Sequence, residues 1–122
     1  MKIKILEFKE EHDFDEGRMV EYLFIAVQRD RIIGKGGIYK YIDDNNSPPV
    51  LHGLYVNKKF RNKGIAIHLQ YVREDAAKNY FNAKKVCLWV DKNSWMRKWY
   101  ERRGYGEPKD KSPTETWLYK NL

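Results

Sequence analysis

The run Leu54-Tyr55-Val56-Asn57-Lys58-Lys59-Phe60-Arg61-Asn62-Lys63-Gly64-Ile65-Ala66 constrains this chain more than any other stretch. It reads as a β-strand handing over, through a short basic loop, to a helix opened by glycine. The first-turn N–H groups of such a helix have no intrahelical partner and its dipole is positive at that end, so an anion placed there gains both hydrogen bonds and charge stabilisation. Gly64 lets the backbone approach the anion closely. The segment is expected to cradle a pyrophosphate.

Downstream, Ile65, Leu69, Val72, Ala76 and Tyr80 recur at spacings of three and four, which predicts one amphipathic helix packed on a sheet. Strand-like runs surround it. Lys2 to Phe8 is a candidate first strand, and Glu21 to Gln28 with Arg31 to Tyr41 form a hairpin turning at Arg29-Asp30. Gly34, Gly36 and Gly37 are not followed by G-K-S/T or a helix, so they mark a bulge or a close backbone approach instead of a nucleotide loop. Asp43 to Pro49 is a loop by composition, and it lacks the glycine and terminal glutamate of a calcium loop. Lys85 to Val90 is a further strand, Asn93 or Ser94 caps a second helix whose Trp95, Met96, Trp99 and Tyr100 are expected in the core, and Glu115 to Tyr119 is a last strand. The order β, β-β, β-α, β-α, β predicts a single domain over 1–122, a mixed α/β sheet flanked by helices. If period 2 holds along the strand before the loop, Val50, His52, Leu54 and Val56 share one face.

Two of these segments resemble the GNAT superfamily of N-acetyltransferases. Arg61-Asn62-Lys63-Gly64-Ile65-Ala66 matches its Q/R-x-x-G-x-G/A signature, and it follows the hydrophobic-x-Val ending Leu54-Tyr55-Val56. Asn93 to Tyr105 resembles the family's N-x-x-A-x-x-F-Y-x-K-x-G-F segment: Asn93, Trp99, Tyr100, Arg102, Gly104 and Tyr105 fall on its positions, while Met96 replaces the usual small residue. The resemblance covers roughly residues 20 to 122. It implies the acyl-CoA N-acyltransferase fold, a central, mostly antiparallel sheet with flanking helices, and acetyl-CoA as cofactor. It places Leu54, Tyr55, Val56, Arg61, Asn62, Lys63, Gly64, Ile65, Ala66, Asn93 and Tyr100 on the cofactor. The family has two helices between its first and second strands, and here only Lys9 to Val20 is available, with Glu10 to Gly17 able to form at most a turn or two of helix. The reduced region leaves the acceptor side open, which suits a macromolecular amine such as a protein lysine or amino terminus.

Acyl transfer to an amine requires loss of a proton from the amine, stabilisation of the carbonyl oxygen and protonation of the departing thiolate. The resemblance assigns Tyr100 as general acid beside the sulfur, since a phenol stays protonated at neutral pH. His52, on the strand leading to the loop, is the candidate base, because imidazole accepts a proton near neutrality. The resemblance also makes the Leu54 N–H the candidate oxyanion donor, because this strand in the family splays from its neighbour and frees main-chain groups. Direct transfer is favoured over a covalent relay, as no Cys or Ser stands in an activated context.

The net charge of +7 raises nucleic acid as a partner, but a polyanionic cofactor already accounts for Lys58, Lys59, Arg61 and Lys63. Arg97, Lys98, Arg102 and Arg103 form a second basic cluster that reads as a solvated face or a docking surface for an acidic partner. The single cysteine, Cys87, excludes an internal disulfide framework and reads as a buried hydrophobe. No ligand set has zinc spacing, so no metal is expected. No apolar run reaches membrane-spanning length and Met1 to Lys4 opens no signal-peptide core, which points to the cytoplasm. The aromatic-rich last strand is a candidate homodimer edge. A non-catalytic protein of the same fold, docking an acidic protein or nucleic acid, is the alternative function.

Overall fold

The computed structural model describes residues 2–15 and 17–122; Met1 and Glu16 lie outside them. The elements run β1 (Lys4–Phe14), β2 (Gly17–Gln28), β3 (Arg31–Tyr41), β4 (Val50–Val56), a 3₁₀ turn (Lys58–Phe60), α1 (Ile65–Asn79), β5 (Lys85–Asp91), α2 (Trp95–Glu101), β6 (Gly106–Asp110) and β7 (Glu115–Asn121). They build one seven-stranded sheet in the order β1-β2-β3-β4-β5-β7-β6. All neighbours are antiparallel except β4 and β5, so the expected mixed, mostly antiparallel sheet is what forms.

The first hairpin departs from expectation. β1 does not stop at Phe8 and no helix turn follows it; Lys4 pairs with Val27 and the register continues without a break to Phe14 opposite Gly17. Acidic Glu10 to Asp13 are weak strand formers on their own, but main-chain pairing with β2 and alternation of side chains across the sheet override that preference. The β2–β3 turn at Arg29-Asp30 forms as expected, with φ of 48° and 63° at the two residues, the geometry whose twist matches the flanking strands.

α1 lies on one face of the sheet. Phe24 and Ala26 of β2 and Ile33 and Ile38 of β3 are buried with Ile65, Leu69, Ala76 and Ala77 of the helix. A Cβ on Gly34 would stand 3.3 Å from both Ile65 and Leu69, and one on Gly36 would stand 3.2 Å from Arg73, so the small residues of β3 set how closely α1 seats. Pairing partners share a face of the sheet, so Leu6 (opposite Ile25), Phe8 (opposite Leu23) and Phe14 point away from α1, and they remain 43–48% exposed. Across β1–β3 that second face carries no helix among the described residues. The short amino-terminal region thus leaves this sheet face bare among the described residues.

At the other end, β7 lies between β5 and β6 and not at an edge. The dimer edge expected of it does not exist, because β6, a strand absent from the sequence reading, covers it. The second helix is capped by Ser94, whose Oγ accepts from the Arg97 N–H at 3.3 Å. Of its four aromatic and apolar residues expected in the core, Tyr100 is buried, whereas Trp95 is 71% exposed.

Candidate active site

β4 and β5 are joined by one parallel register pair, Val50 with Cys87, supported by the Cys87 N–H donating to Pro49 O at 3.0 Å. Past that point the strands part, and two adjoining cavities occupy the gap. The first, about 380 Å³, runs from Leu54, Tyr55 and Val56 of β4 past Arg61, Asn62 and Gly64 to the start of α1. The second, about 400 Å³, reaches from His52 and Leu51 across to Leu88, Val90 and Tyr100. Leu54, Trp95 and Met96 line both, so the two cavities adjoin along the splay.

The mouth of the first cavity is the helix terminus that the sequence marked. Gly64 caps α1 at φ 81°, a left-handed conformation that glycine adopts without strain. No side chain caps the helix and no acidic residue occupies its first turn, and the helical ladder begins only with the His68 N–H on Gly64 O at 3.0 Å. The first-turn donors are thus left for an outside acceptor, and a Cβ at Gly64 would meet nothing within 4 Å. Arg61 is anchored by its Nε donating to Val56 O at 3.0 Å. An uncapped, basic terminus leading into an apolar groove fits a pyrophosphate with a long acyl arm.

Of the residues expected on the cofactor, Leu54, Tyr55, Val56, Arg61, Asn62, Gly64, Ile65 and Ala66 line the first cavity, and Tyr100 lines the second. Lys63 lines neither; its Nζ stands 5.5 Å over the Phe60 ring. Asn93 is also apart, exposed on a shallow depression with Lys92 and Lys98. Sequence reasoning missed Trp95, Trp99 and Arg103, which wall the first cavity. The signal was their i, i+4, i+8 spacing, which stacks them along one side of α2 and its extension: the Arg103 guanidinium lies 3.7 Å from the Trp99 ring centre, and its Nη1 donates to Trp99 O at 2.8 Å.

β4 does not keep period 2. Gly53 takes φ 66°, and the pairing with β3 shifts between Lys35 and Gly37, so His52 opposes Gly37 while Val56 opposes Gly34 beneath α1. His52 and Val56 therefore lie on opposite faces, against the expectation. The bulge turns His52 to the bare face, where its ring sits over Gly37; a Cβ there would be 2.5 Å from Nε2. The same Nε2 stands 2.7 Å from Oε2 of Glu21 on β2, off the ring N–H axis, and the ring is 5.4 Å from that of Tyr39. Burial pushes the imidazole below its usual range, Glu21 opposes that, and Arg73 and Lys35 add to it.

Tyr100 projects from α2 with its hydroxyl accepting from Arg73 Nη2 at 3.1 Å. Arginine only donates, so the phenolic proton remains available to another acceptor. Arg73 is fully buried, bonded also to Gln70 and to Leu69 O, and its Nη1 has no protein partner. Nearby, the Tyr105 hydroxyl donates to Glu74 at 2.7 Å, and Lys120 reaches the same carboxylate at 3.1 Å. Burial and that carboxylate push the Tyr105 hydroxyl far above its ordinary range, which keeps it a donor. Cys87, in the sheet centre, is held protonated by burial, its thiol pushed up to about 12.

The model of the acetyltransferase (GNAT) domain matches residues 20–107. The chain belongs to the GNAT acetyltransferase family. Among solved structures, a GNAT acetyltransferase of Staphylococcus aureus is similar at 19% identity and TM-score 0.69, with 84% of this chain and 68% of that one covered. A GNAT acetyltransferase of Elizabethkingia anophelis with acetyl-CoA bound has 22% identity and TM-score 0.66, covering 84% and 76%. The PaiA N-acetyltransferase of Thermoplasma acidophilum in complex with coenzyme A has 16% identity and TM-score 0.68, covering 84% and 61%. A sequence comparison with curated proteins gives no significant match. The acetyl-CoA that serves GNAT acetyltransferases fits the uncapped terminus of α1 and the groove behind it. No described helix is long and apolar enough to cross a membrane.

Proposed function

We propose that this GNAT protein is an N-acetyltransferase that moves an acetyl group to a primary amine by direct attack, with a protein lysine or amino terminus as acceptor. The observation that carries the reading is that the cavity at the uncapped α1 terminus adjoins the one lined by His52 and Tyr100. A substrate whose phosphates sit on the α1 terminus has a path for its acyl end to those side chains. The bare face of β1–β3 leads to the same gap and leaves room for a macromolecule.

When bound, acetyl-CoA supplies an acetyl group activated as a thioester. The first-turn N–H groups of α1 with Arg61 hold the phosphates, and Trp95 and Trp99 exclude water from the arm. His52 takes the amine proton, directly or through water, with the Glu21 carboxylate beside the ring to stabilise its positive charge. Leu54 has no register partner on β3 or β5, and its N–H is the donor assigned to a developing oxyanion. Tyr100, oriented by Arg73, keeps a proton for the leaving sulfur.

The test is a calorimetric titration of acetyl-CoA into the wild type and into Gly64→Trp, each shown to be folded by circular dichroism. Saturable binding that disappears in the variant supports the cradle and opens a screen of amine and lysine-peptide acceptors. A folded wild type that gives no heat overturns the reading in favour of a protein that only docks an acidic partner.

A further inference from the structure

The bare face carries a cluster that the transfer reaction leaves partly unused. Glu10 and His12 are two apart on β1 and so share a face, and Glu21 of β2 is the register partner of Glu10. His12 Nε2 lies 3.4 Å from Glu10 Oε2 and 3.6 Å from Glu21 Oε1. Neither contact is a hydrogen bond, and both are longer than the roughly 2.7–2.9 Å of a charge-assisted one. They match a different geometry: ligand atoms bonded to tetrahedral zinc at about 2.0–2.1 Å stand roughly 3.4 Å from one another. The three donor atoms all lie within 4.8 Å of each other.

We propose that Glu10, His12 and Glu21 form a binding site for a divalent transition-metal cation of the zinc class, with water completing the coordination. One imidazole and two carboxylates are ligands of the borderline hardness that Zn²⁺ accepts. The site is built on a hairpin whose main-chain pairing is continuous, so little order has to be imposed on binding. Two neighbours orient the ligands. The Phe14 ring stacks on His12 at 6.1 Å and 23°, and the His52 ring stands 2.7 Å from the second oxygen of Glu21, while Oε1 is turned to His12. The competing account of the same contacts is an imidazolium resting between two carboxylates with no ion.

The two accounts separate in a titration of zinc chloride into tag-free, chelator-treated protein in a non-coordinating buffer. The third histidine, His68, is exposed on α1 outside the cluster and serves as the control. A site predicts 1:1 saturable binding, weakened at least about tenfold in His12→Ala and in Glu21→Gln and unchanged in His68→Ala. It also predicts that zinc raises the melting temperature of the wild type and not that of His12→Ala. No saturable binding by the wild type, equal binding by His12→Ala, or equal weakening in His68→Ala would overturn it. None of these readouts depends on acetyl transfer.

Discussion

Gly37→Ala is a one-carbon test of where His52 must sit. The added Cβ would stand 2.5 Å from Nε2 and 2.6 Å from Cε1 of His52, far inside van der Waals contact, so the ring has to leave. It can do so, since the His52 side chain is 35% exposed and the bare face above it is open. Leaving forfeits a half-exposed contact with Glu21 worth about 0.2–1 kcal/mol. Against that, replacing a glycine in a strand interior by alanine recovers about 0.5–1 kcal/mol of backbone entropy. The net change in stability is then within about 1 kcal/mol of zero, or some 3–5 °C in melting temperature for a domain of this size. Turnover should behave very differently. Loss of a positioned general base typically slows the chemical step roughly a hundredfold to ten-thousandfold. The assay is release of free thiol from acetyl-CoA with a primary amine acceptor, run beside a thermal melt. Wild-type turnover in a folded Gly37→Ala protein would refute the role given to His52; a melting temperature lowered by more than about 10 °C would refute the account of a ring free to swing away.

Other perturbations read other parts of the site. Tyr100→Phe removes the hydroxyl that accepts from Arg73 and leaves a further guanidinium N–H of a fully buried charge without a partner, so urea unfolding should show a loss of about 1–3 kcal/mol together with a fall in turnover. A stability equal to wild type would mean that the Arg73–Tyr100 contact is not maintained in solution. For Cys87, a thiol pushed up to about 12 is thiolate in only about one molecule in ten thousand at pH 8, and the residue is 3% exposed. Iodoacetamide should label it no faster than the chain opens, and rapid labelling of the native protein would contradict its placement in the sheet.

What the sequence disclosed, and what it concealed, follows physical lines. β3 was readable to the residue, because Ile32, Ile33, Ile38, Tyr39 and Tyr41 mark a strand from Arg31 to Tyr41 behind a two-residue turn. The uncapped terminus of α1 was readable because its signal is local: a strand end, a basic loop and a glycine lie within one short segment. β1 past Phe8 was not, since Glu10 to Asp13 resemble a solvated helical turn and become a strand only through pairing with residues 18–21. β6 was hidden by Pro108 and its charges, which an edge strand tolerates and a central one does not. The face of His52 was misjudged for want of one fact, that Gly53 adopts positive φ and breaks the alternation. Glu21 and the Glu10–His12 pair meet only through strand register, so no spacing rule along the chain could have joined them.

The lone register pair between β4 and β5 also has a mechanical meaning. The chain from Lys4 to Val56 makes one raft of four strands, the chain from Lys85 to Asn121 makes another of three, and the main-chain seam between them is a single bridge, closed in part by the Cys87 N–H on Pro49 O. Shared side-chain packing beneath α1 and across Tyr100 and Tyr105 holds the rafts in register where the backbone does not. A cofactor lodged in the splay would touch both sides of that seam at once. It would act as mortar as well as substrate, so that loading the groove stiffens the two halves against each other and product release loosens them.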